Sequence, residues 1–420
     1  MISEEEARAK ILGAVRPLPP RKLSILEVQD CFAAQDYSAR LPLPNFDNSA
    51  MDGYAVIGSE AKTGKRLRVI GEQPAGADRQ LRVSAGETVR IFTGAPIPSG
   101  ADAVVMQEDV TRDGDEIVLN TDADPGEFVR RRGCDLGEGQ KILSAGERIR
   151  AATLGLLASQ GLDEVLVGGE VRAAIISSGD ELVKPGEELD AGQIYESNSA
   201  LLFGLLQRCR ATVASTEHCG DNLDSLGKAF QSAAGNEILI VSGGVSVGEH
   251  DLVQAALKSL GAKIDIWRVA IKPGKPFLFG SIKKSRPSPQ SYPSGRGSRE
   301  AAGEGNLLKE SSCFVFGLPG NPVSAFVTFL QFVRPAILKL MGAADLDLSK
   351  VPATLAVDLK NDGDRVHYFR GRLEHGSFAP VGRQESHALF GLSRSNALLR
   401  VAVGQSFQGG DLVEVELCDF

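Results

Sequence analysis

The sequence predicts a multidomain α/β-plus-β protein, in which a parallel sheet covered by helices on both faces is flanked along the chain by smaller β domains. Three observations predict it. Residues 171–342 alternate short apolar runs with helical periods, the pattern of a three-layer parallel-sheet domain. Residues 67–119 carry short Val/Ile/Leu runs separated by Gly, Pro and Asp turns, as a small β domain does. Residues 351–420 return to two-residue alternation, with Val413, Val415 and Leu417 on one face and Glu414 and Glu416 on the other.

The elements follow in order. Ser3 and Glu6 form a capping box, and Glu4 to Glu6 suit the positive end of a helix. Ile11, Leu12 and Val15 give its apolar stripe, and Pro17 stops it. Leu81-Arg82-Val83 and Glu116-Ile117-Val118-Leu119 read as strands of the β domain. In the α/β segment, 171–177 is a buried strand, 201–209 a helix, 237–241 a second buried strand, 252–260 a helix and 313–316 a further strand. The last helix has Asn321 as N-cap and Pro322 at its first position. Its stripe is Phe326, Val327, Leu330, Val333, Ile337 and Leu340. Residues 285–312 are rich in Ser, Pro, Gly, Arg and Glu and nearly empty of apolar residues, the composition of a disordered surface insertion.

Composition narrows the function classes. A chain of 420 residues is expected to hold two to four domains. Glycine is abundant, with 47 residues of 420 or roughly 11% against about 7% in ordinary proteins. Many positions therefore need positive φ or close backbone approach, as tight turns and anion cradles do. The formal charge of −8 argues against a nucleic-acid binder. No apolar run approaches the roughly 18 residues that span a bilayer, so no membrane is expected. The acidic start, Met1 to Glu6, lacks the n-region of a signal peptide. The 6 cysteines are scattered without a C-x-x-C pair, which fits a reducing compartment, the cytoplasm. The 5 histidines show no metal-binding spacing, so any metal would be a hard cation on carboxylates.

The chemistry gathers at glycine-rich strand ends. Ser177-Ser178-Gly179-Asp180-Glu181, Ser242-Gly243-Gly244-Val245-Ser246-Val247-Gly248 and Gly317-Leu318-Pro319-Gly320-Asn321-Pro322 each follow a predicted strand. Any one of them alone would be an ordinary tight turn. Three together, beyond the carboxyl ends of a parallel sheet, describe an anion site whose backbone N–H groups reach phosphate oxygens. Lys272-Pro273-Gly274-Lys275-Pro276 holds two ammonium groups on a stiff loop, with Arg268 just upstream, and suits an oxyanion or a pyrophosphate. Glu181 and Asp251 each follow a glycine loop. Asp52 lies in Asn48-Ser49-Ala50-Met51-Asp52-Gly53-Tyr54-Ala55, and Asp135 follows Arg130-Arg131-Arg132-Gly133. Carboxylates beside a phosphate site usually hold Mg²⁺. No Ser-His-Asp arrangement or reactive cysteine stands out.

These residues resemble the molybdopterin molybdenumtransferase family, the bacterial MoeA proteins and the E domain of gephyrin, over nearly the whole chain. The resemblance is carried by 44–55, by Arg90-Ile91-Phe92-Thr93-Gly94-Ala95-Pro96-Ile97-Pro98, by Ser178-Gly179-Asp180-Glu181-Leu182 and by Tyr195-Glu196-Ser197-Asn198. The 242–248 loop, 272–276, 317–324 and Ser395-Asn396-Ala397-Leu398-Leu399 extend it. Segments 48–55 and 90–98 are the most specific. Ser178 stands where the family more often has threonine, Cys134 where it is often acidic and Arg268 where it is often lysine. Residues 285–312 are an addition to the usual pattern.

The resemblance implies four domains: a discontinuous N-terminal domain (1–50 and 133–170), an inserted β domain (51–132), an α/β molybdopterin-binding domain (171–342) and a small β-barrel-like C-terminal domain (343–420). It implies a homodimer whose active site is shared between subunits, with Asp52, Thr93, Asp135, Glu181 and Asp251 as catalytic positions and Glu181 and Asp251 on Mg²⁺. Substrate contacts would come from Ser178, Gly179, Asp180, Asp221, Ser242, Gly243, Gly244, Ser246, Gly248, Pro319, Gly320, Asn321 and Pro322. Arg268, Lys272, Lys275 and Ser324 would add the molybdate or phosphate contacts. The implied reaction inserts molybdate into adenylated molybdopterin with release of AMP. A molybdopterin adenylyltransferase and the acceptor molybdoenzymes are the implied protein partners. The competing readings are a molybdopterin adenylyltransferase, which resembles the α/β segment alone, a scaffold protein of the gephyrin type, and a nucleotide-binding regulatory protein.

Overall fold

A computed structural model describes residues 1–244, 252–284 and 312–418. The expected disordered insertion therefore lies outside the described residues except at its end, where Ser312 already begins a strand. The described chain divides into two compact units, one of residues 1–35, 145–150 and 164–420, the other of 36–144 and 151–163. This division does not follow the four domains expected from sequence, because the expected N-terminal domain of 1–50 and 133–170 is split between the two units.

The first unit opens with helix α1 (Glu4–Ala14), whose Ser3–Glu6 capping box is present as expected. Its buried stripe is Glu4, Ala7, Ile11 and Val15, while Leu12 is only half-buried. Glu4 is more than a partner for the helix dipole. It is buried, accepts a hydrogen bond from the Tyr368 hydroxyl and pairs with Arg400 at 3.3 Å.

The second unit centres on six strands, β1 (Gly53–Val56), β2 (Arg66–Gln73), β3 (Glu87–Ile91), β4 (Ala103–Met106), β5 (Val110–Asp113) and β6 (Glu116–Leu119). They pair in the order β4-β1-β3-β2-β6-β5, with only β2 and β3 parallel. Tyr54, Val56, Val105, Ile117 and Leu119 pack on one side, and Ala55, Val89, Ile91 and Val104 on the other. The expected strand at 81–83 is absent. Only an isolated bridge from Arg82 to Ser99 stands there.

The α/β part of the first unit follows. Its elements are β7 (Arg172–Ser178), α2 (Asn198–Arg208), β8 (Thr212–Cys219), α3 (Leu223–Ala233), β9 (Ile238–Ser242), α4 (Leu252–Ser259), β10 (Lys263–Trp267), β11 (Leu278–Lys283) and β12 (Ser312–Leu318). The sheet order is β8-β7-β9-β12-β11-β10. The first four strands are parallel, as expected; β11 and β10 extend the sheet antiparallel at one edge. Alternate residues of the central strands face two separate cores. Ile175, Ile240 and Phe316 join α2 and the last helix, whereas Ile176, Val241 and Val315 join α3 and α4. Burial on both faces is why these strands read as continuous apolar runs.

The last helical stretch comprises α5 (Pro322–Thr328), a π-helical turn (Phe329–Val333) and α6 (Arg334–Leu340). Against the expectation that no apolar run approaches bilayer-spanning length, Pro322–Leu340 is long and apolar enough to cross a bilayer, but 89% of it is buried as core. Burial all round replaces the single stripe expected from sequence. Gln331 in the π turn donates to Glu416 at 2.7 Å, which explains why Glu416 is drawn inward rather than facing water like Glu414. Burial raises the Glu416 carboxyl pKa.

Strands β13 (Lys350–Leu355), β14 (Val366–Glu374), β15 (Ser377–Pro380), β16 (Ala397–Val401) and β17 (Leu412–Leu417) close a small barrel in the order β14-β15-β13-β17-β16-β14. Val413 and Val415 point into its core with Phe378 and Leu399, as the alternation predicts.

Phe277 is fully buried where the lysine loop enters β11, with the Phe332 ring 4.7 Å and the Phe316 ring 6.4 Å from its own. Phe277→Ala is expected to cost about 3–5 kcal/mol. Urea unfolding followed by tryptophan fluorescence would check this through Trp267, the single tryptophan, in neighbouring β10.

Candidate active site

Strand register brings the sequence-predicted residues of the α/β part to one edge. Ser178 pairs with Cys219, Ser177 with Ser242, Ser242 with Leu318, Gly317 with Leu278 and Leu278 with Trp267. The loops 178–181, 242–244, 318–321 and 268–277 therefore all leave the sheet at the same end, the carboxyl end of the parallel strands. Ligands of open α/β sheets bind at that end.

The loops touch closely. Gly243 has φ +86°, and a Cβ there would lie 2.2 Å from the Ser178 carbonyl oxygen. Only glycine fits on both counts. Gly320 would meet the Gly243 Cα at 3.6 Å. Asn198, at the start of α2, ties the loops from beneath. Its amide donates to Ser242 Oγ at 2.8 Å and to the Gly320 carbonyl at 2.6 Å. Ser178 donates its hydroxyl to Asp221, whose backbone N–H donates to Asp180 at 3.0 Å. Asp180, Glu181 and Asp221 are exposed at the rim. Asn321 occupies the N-cap position, but its side chain donates to Ser386 Oγ at 3.0 Å instead of capping the helix. Ser246, Gly248 and Asp251 lie outside the described residues.

The lysine loop packs beside this edge. A Cβ at Gly274 would lie 2.5 Å from Thr328 Cγ2 and 3.8 Å from the carbonyl of buried Ser324, so the loop is pressed against α5. Pro319 and Pro322 bound the turn that leads into that helix. Ile271–Lys272 pairs with Val366–His367 of the barrel. Lys272 is exposed, Lys275 and Arg268 half-buried. Arg268 takes a left-handed conformation, φ +72°, and donates its N–H to Phe277 at 2.9 Å. Burial pushes the His367 imidazole down to about 4, and the charges of Lys272, Arg370 and Arg365 push the same way. At neutral pH the loop thus sits beside a neutral histidine whose Nε2 has no hydrogen-bond partner.

Within the second unit, Asp52 and Thr93 meet. The Thr93 hydroxyl and backbone N–H each donate to Asp52 at 2.7 Å. These bonds, with the Arg90 charge, hold the Asp52 carboxyl below the usual range. Asp135 is exposed on a loop anchored to the Asp52 side of the unit: Val129–Arg130 pairs with Asn48–Ser49, and Asp47 accepts from the Arg132 N–H at 2.7 Å and from Arg131 at 2.8 Å.

Sequence reasoning did not single out Asn198, Ser386, Arg90 or His367. Asn198 and Arg90 stood inside quoted motifs. Ser386 and His367 carry no local signal, since their contacts come from distant parts of the chain.

Among the described residues no group of three or more His, Cys, Asp or Glu is placed to hold a metal ion. Mg²⁺ is usually bound by one or two carboxylates together with substrate phosphates. Exposed Glu181 beside the glycine loops is an oxygen donor of that kind, so the residues present fit it.

Comparison with known proteins decides the family. Residues 2–161 match the model of the MoeA N-terminal region (domain I and II), 174–339 that of a probable molybdopterin binding domain and 352–418 that of the MoeA C-terminal region (domain IV). The molybdopterin molybdenumtransferase of Haemophilus influenzae is 36% identical over 95% of this chain and 94% of its own length. The chain belongs to the molybdopterin molybdenumtransferase family. The Nostoc member is 35% identical over 93% of this chain and 88% of its own length. The crystal structure of the molybdopterin biosynthesis MoeA protein from Pyrococcus horikosii covers 100% of both chains with a TM-score of 0.77 at 27% identity. The MoeA N- and C-terminal regions of this family set the chain apart from an adenylyltransferase that would resemble the α/β segment alone.

The neutral His367 makes a pH prediction. The unfolded chain takes up a proton near 6.5, whereas the folded histidine refuses it until about 4. Stability is therefore full above pH 6.5 and falls as the pH drops toward 4, with a slope approaching about 1.4 kcal/mol per pH unit. Urea midpoints of His367→Phe measured over that range should lack this component.

Proposed function

We propose that this chain inserts molybdate into adenylated molybdopterin and releases AMP. The observation that carries the reading is the shared register of the 178–181, 242–244, 318–321 and 268–277 loops in a chain of this family. Backbone N–H groups of the glycine loops would take the pyrophosphate oxygens. Lys272 and Lys275, with Arg268 and Ser324 nearby, would hold molybdate near the dithiolene sulfurs. Glu181 and Asp251 are the residues assigned to Mg²⁺, which when bound neutralises phosphate charge and polarises the bond to be cut. Asp52, Thr93 and Asp135 would complete the site from the partner subunit of a homodimer. We place the reaction in the cytoplasm, between a molybdopterin adenylyltransferase as supplier and acceptor molybdoenzymes as consumers.

The direct test incubates the protein with adenylated molybdopterin, molybdate and Mg²⁺ and measures AMP and active cofactor. The reading predicts molybdate-dependent formation of both, lost with EDTA. AMP release that ignores molybdate would contradict it.

Lys272→Ala combined with Lys275→Ala should raise the molybdate concentration needed for half-maximal turnover at least tenfold while leaving the melting temperature nearly unchanged. Charge-assisted hydrogen bonds are worth about 1.5–3 kcal/mol each, whereas an exposed and a half-buried loop lysine add little stability. Normal turnover at limiting molybdate would remove the lysines from the anion site.

A shared site can be tested by complementation. Asp52→Ala and Glu181→Ala chains are each expected to be inactive. Random pairing makes half the dimers mixed, and one site in each mixed dimer then carries neither substitution, so about a quarter of all sites are intact. Co-expression should restore roughly that fraction of activity. No recovery in a preparation shown to contain mixed dimers would mean that each site is built within one subunit.

A further inference from the structure

A strap at 381–388 joins β15 to the short helix Leu389–Ser393. Its base is fixed to Arg370 of β14. The Arg370 N–H donates to Gln384 Oε1 at 3.1 Å. The Gln384 amide donates back to the Arg370 carbonyl at 3.0 Å and to the Val381 carbonyl at 3.1 Å. Gln384 thus spends its acceptor and both its donors on the root of the strap. The Arg370 guanidinium, on a residue 1% exposed, donates to the Arg383 carbonyl. Burial works against that charge, and Glu385 supports it. Gln384 is half-buried, whereas its strap neighbours Arg383, Glu385 and His387 are exposed.

The other end of the strap reaches the ligand edge. Ser386 Oγ accepts from the Asn321 amide at 3.0 Å, and the Ser386 carbonyl accepts from the Val323 N–H at 3.1 Å. Val323 lies in the first turn of α5, where backbone N–H groups have no partner within the helix. Asn321 stands at the N-cap but does not cap that turn. The strap caps it instead. This first turn follows directly on the 318–321 loop, which Asn198 holds from beneath through the Gly320 carbonyl. The loop is therefore held from two sides, by α2 and by the barrel. The lysine loop leans on the same helix, since Gly274 packs against Ser324 and Thr328.

We propose that Gln384 is a positioning residue for the ligand site. By fixing the strap it sets where Ser386 stands, and Ser386 holds the start of α5 and the 318–321 loop at the glycine edge. The identity of the ligand rests on the function proposed above; the coupling rests on the hydrogen bonds alone. Without the Gln384 bonds the strap loosens and releases the Val323 N–H and the Asn321 amide. The ligand then has to order the loop as it binds, so ground-state binding weakens while the chemistry, carried by other groups, is kept.

The test compares wild type, Gln384→Met and Val413→Ala. Methionine keeps the length of glutamine and removes its hydrogen bonds. Val413 lies in the barrel core away from the strap, so its variant controls for lost barrel stability. Hydrogen exchange followed by mass spectrometry should show faster exchange across 318–324 in Gln384→Met and a wild-type rate there in Val413→Ala. Calorimetric titration with adenylated molybdopterin should show binding weakened roughly fivefold or more in Gln384→Met and unchanged in Val413→Ala. In turnover KM should rise in step while kcat stays within about twofold. If Gln384→Met does not fold, Gln384→Glu serves: it keeps an acceptor for the Arg370 N–H, loses both donated bonds and should change in the same directions. Wild-type exchange or wild-type affinity in the folded Gln384 variant, an equal change in Val413→Ala, or a fall in kcat with KM unchanged would overturn the proposal. If wild type itself fails to bind adenylated molybdopterin, the function proposed above falls, and exchange at 318–324 alone decides the role of Gln384.

Discussion

The approach of Gly243 to the Ser178 carbonyl is the constraint on which the α/β part depends. Adjacent parallel strands end in register, so the chains leaving them compete for the same space. A side chain at 243 would occupy the position of a neighbouring carbonyl, and the positive φ there disfavours any residue but glycine. With glycine in place, the 318–321 loop closes over the first two, and the buried Asn198 amide can bridge Ser242 to Gly320. The result is an edge made of backbone and small polar groups instead of side chains. Such an edge is suited to anions.

Electrostatics completes the picture. The chain carries a net charge of −8, and at this edge the cations of Arg268, Lys272 and Lys275 on the lysine loop accompany the exposed carboxylates of Asp180, Glu181 and Asp221. The barrel strand beside the loop contributes a histidine kept neutral by burial and by the charges of Lys272, Arg370 and Arg365. In the second unit the opposite sign prevails. Thr93 and Arg90 keep Asp52 ionised, so it presents a fixed negative charge at neutral pH. A cationic loop for oxyanions and a lasting carboxylate are two components that the proposed chemistry requires.

Much of this was legible in the sequence, for identifiable reasons. Central strands β7, β9 and β12 are buried on both faces, so they read as unbroken apolar runs ending in glycine. The Ser3–Glu6 box and the alternation of Val413 and Val415 are likewise local signals. What escaped was set by distant contacts. Strand β8 at the sheet edge alternates polar residues, as in Thr216-Glu217-His218, and shows no apolar run. Helix α3 has an Asn222 cap and a clear apolar face, but 223–233 is diluted by Gly227 and Ser232. Strands β10 and β11 form an antiparallel edge that follows from no local rule. Glu4 is buried only because Tyr368 and Arg400 come to it from the barrel. Ser386 reaches Asn321 across 65 residues. At the site, the glycine loops and lysines were found by residue type, whereas Asn198 and His367 derive their importance from what packs against them.

The account stands on the claim that the close glycine contact at the strand ends builds the ligand site. Isothermal titration of adenylated molybdopterin into Gly243→Ala, beside wild type, tests it most directly. Near-UV circular dichroism would establish that the rest of the fold is kept. The account predicts binding at least tenfold weaker in the variant, because the Cβ forces the 242–244 loop away from Ser178 and opens the backbone cradle. A folded variant that binds the ligand as tightly as wild type would contradict it.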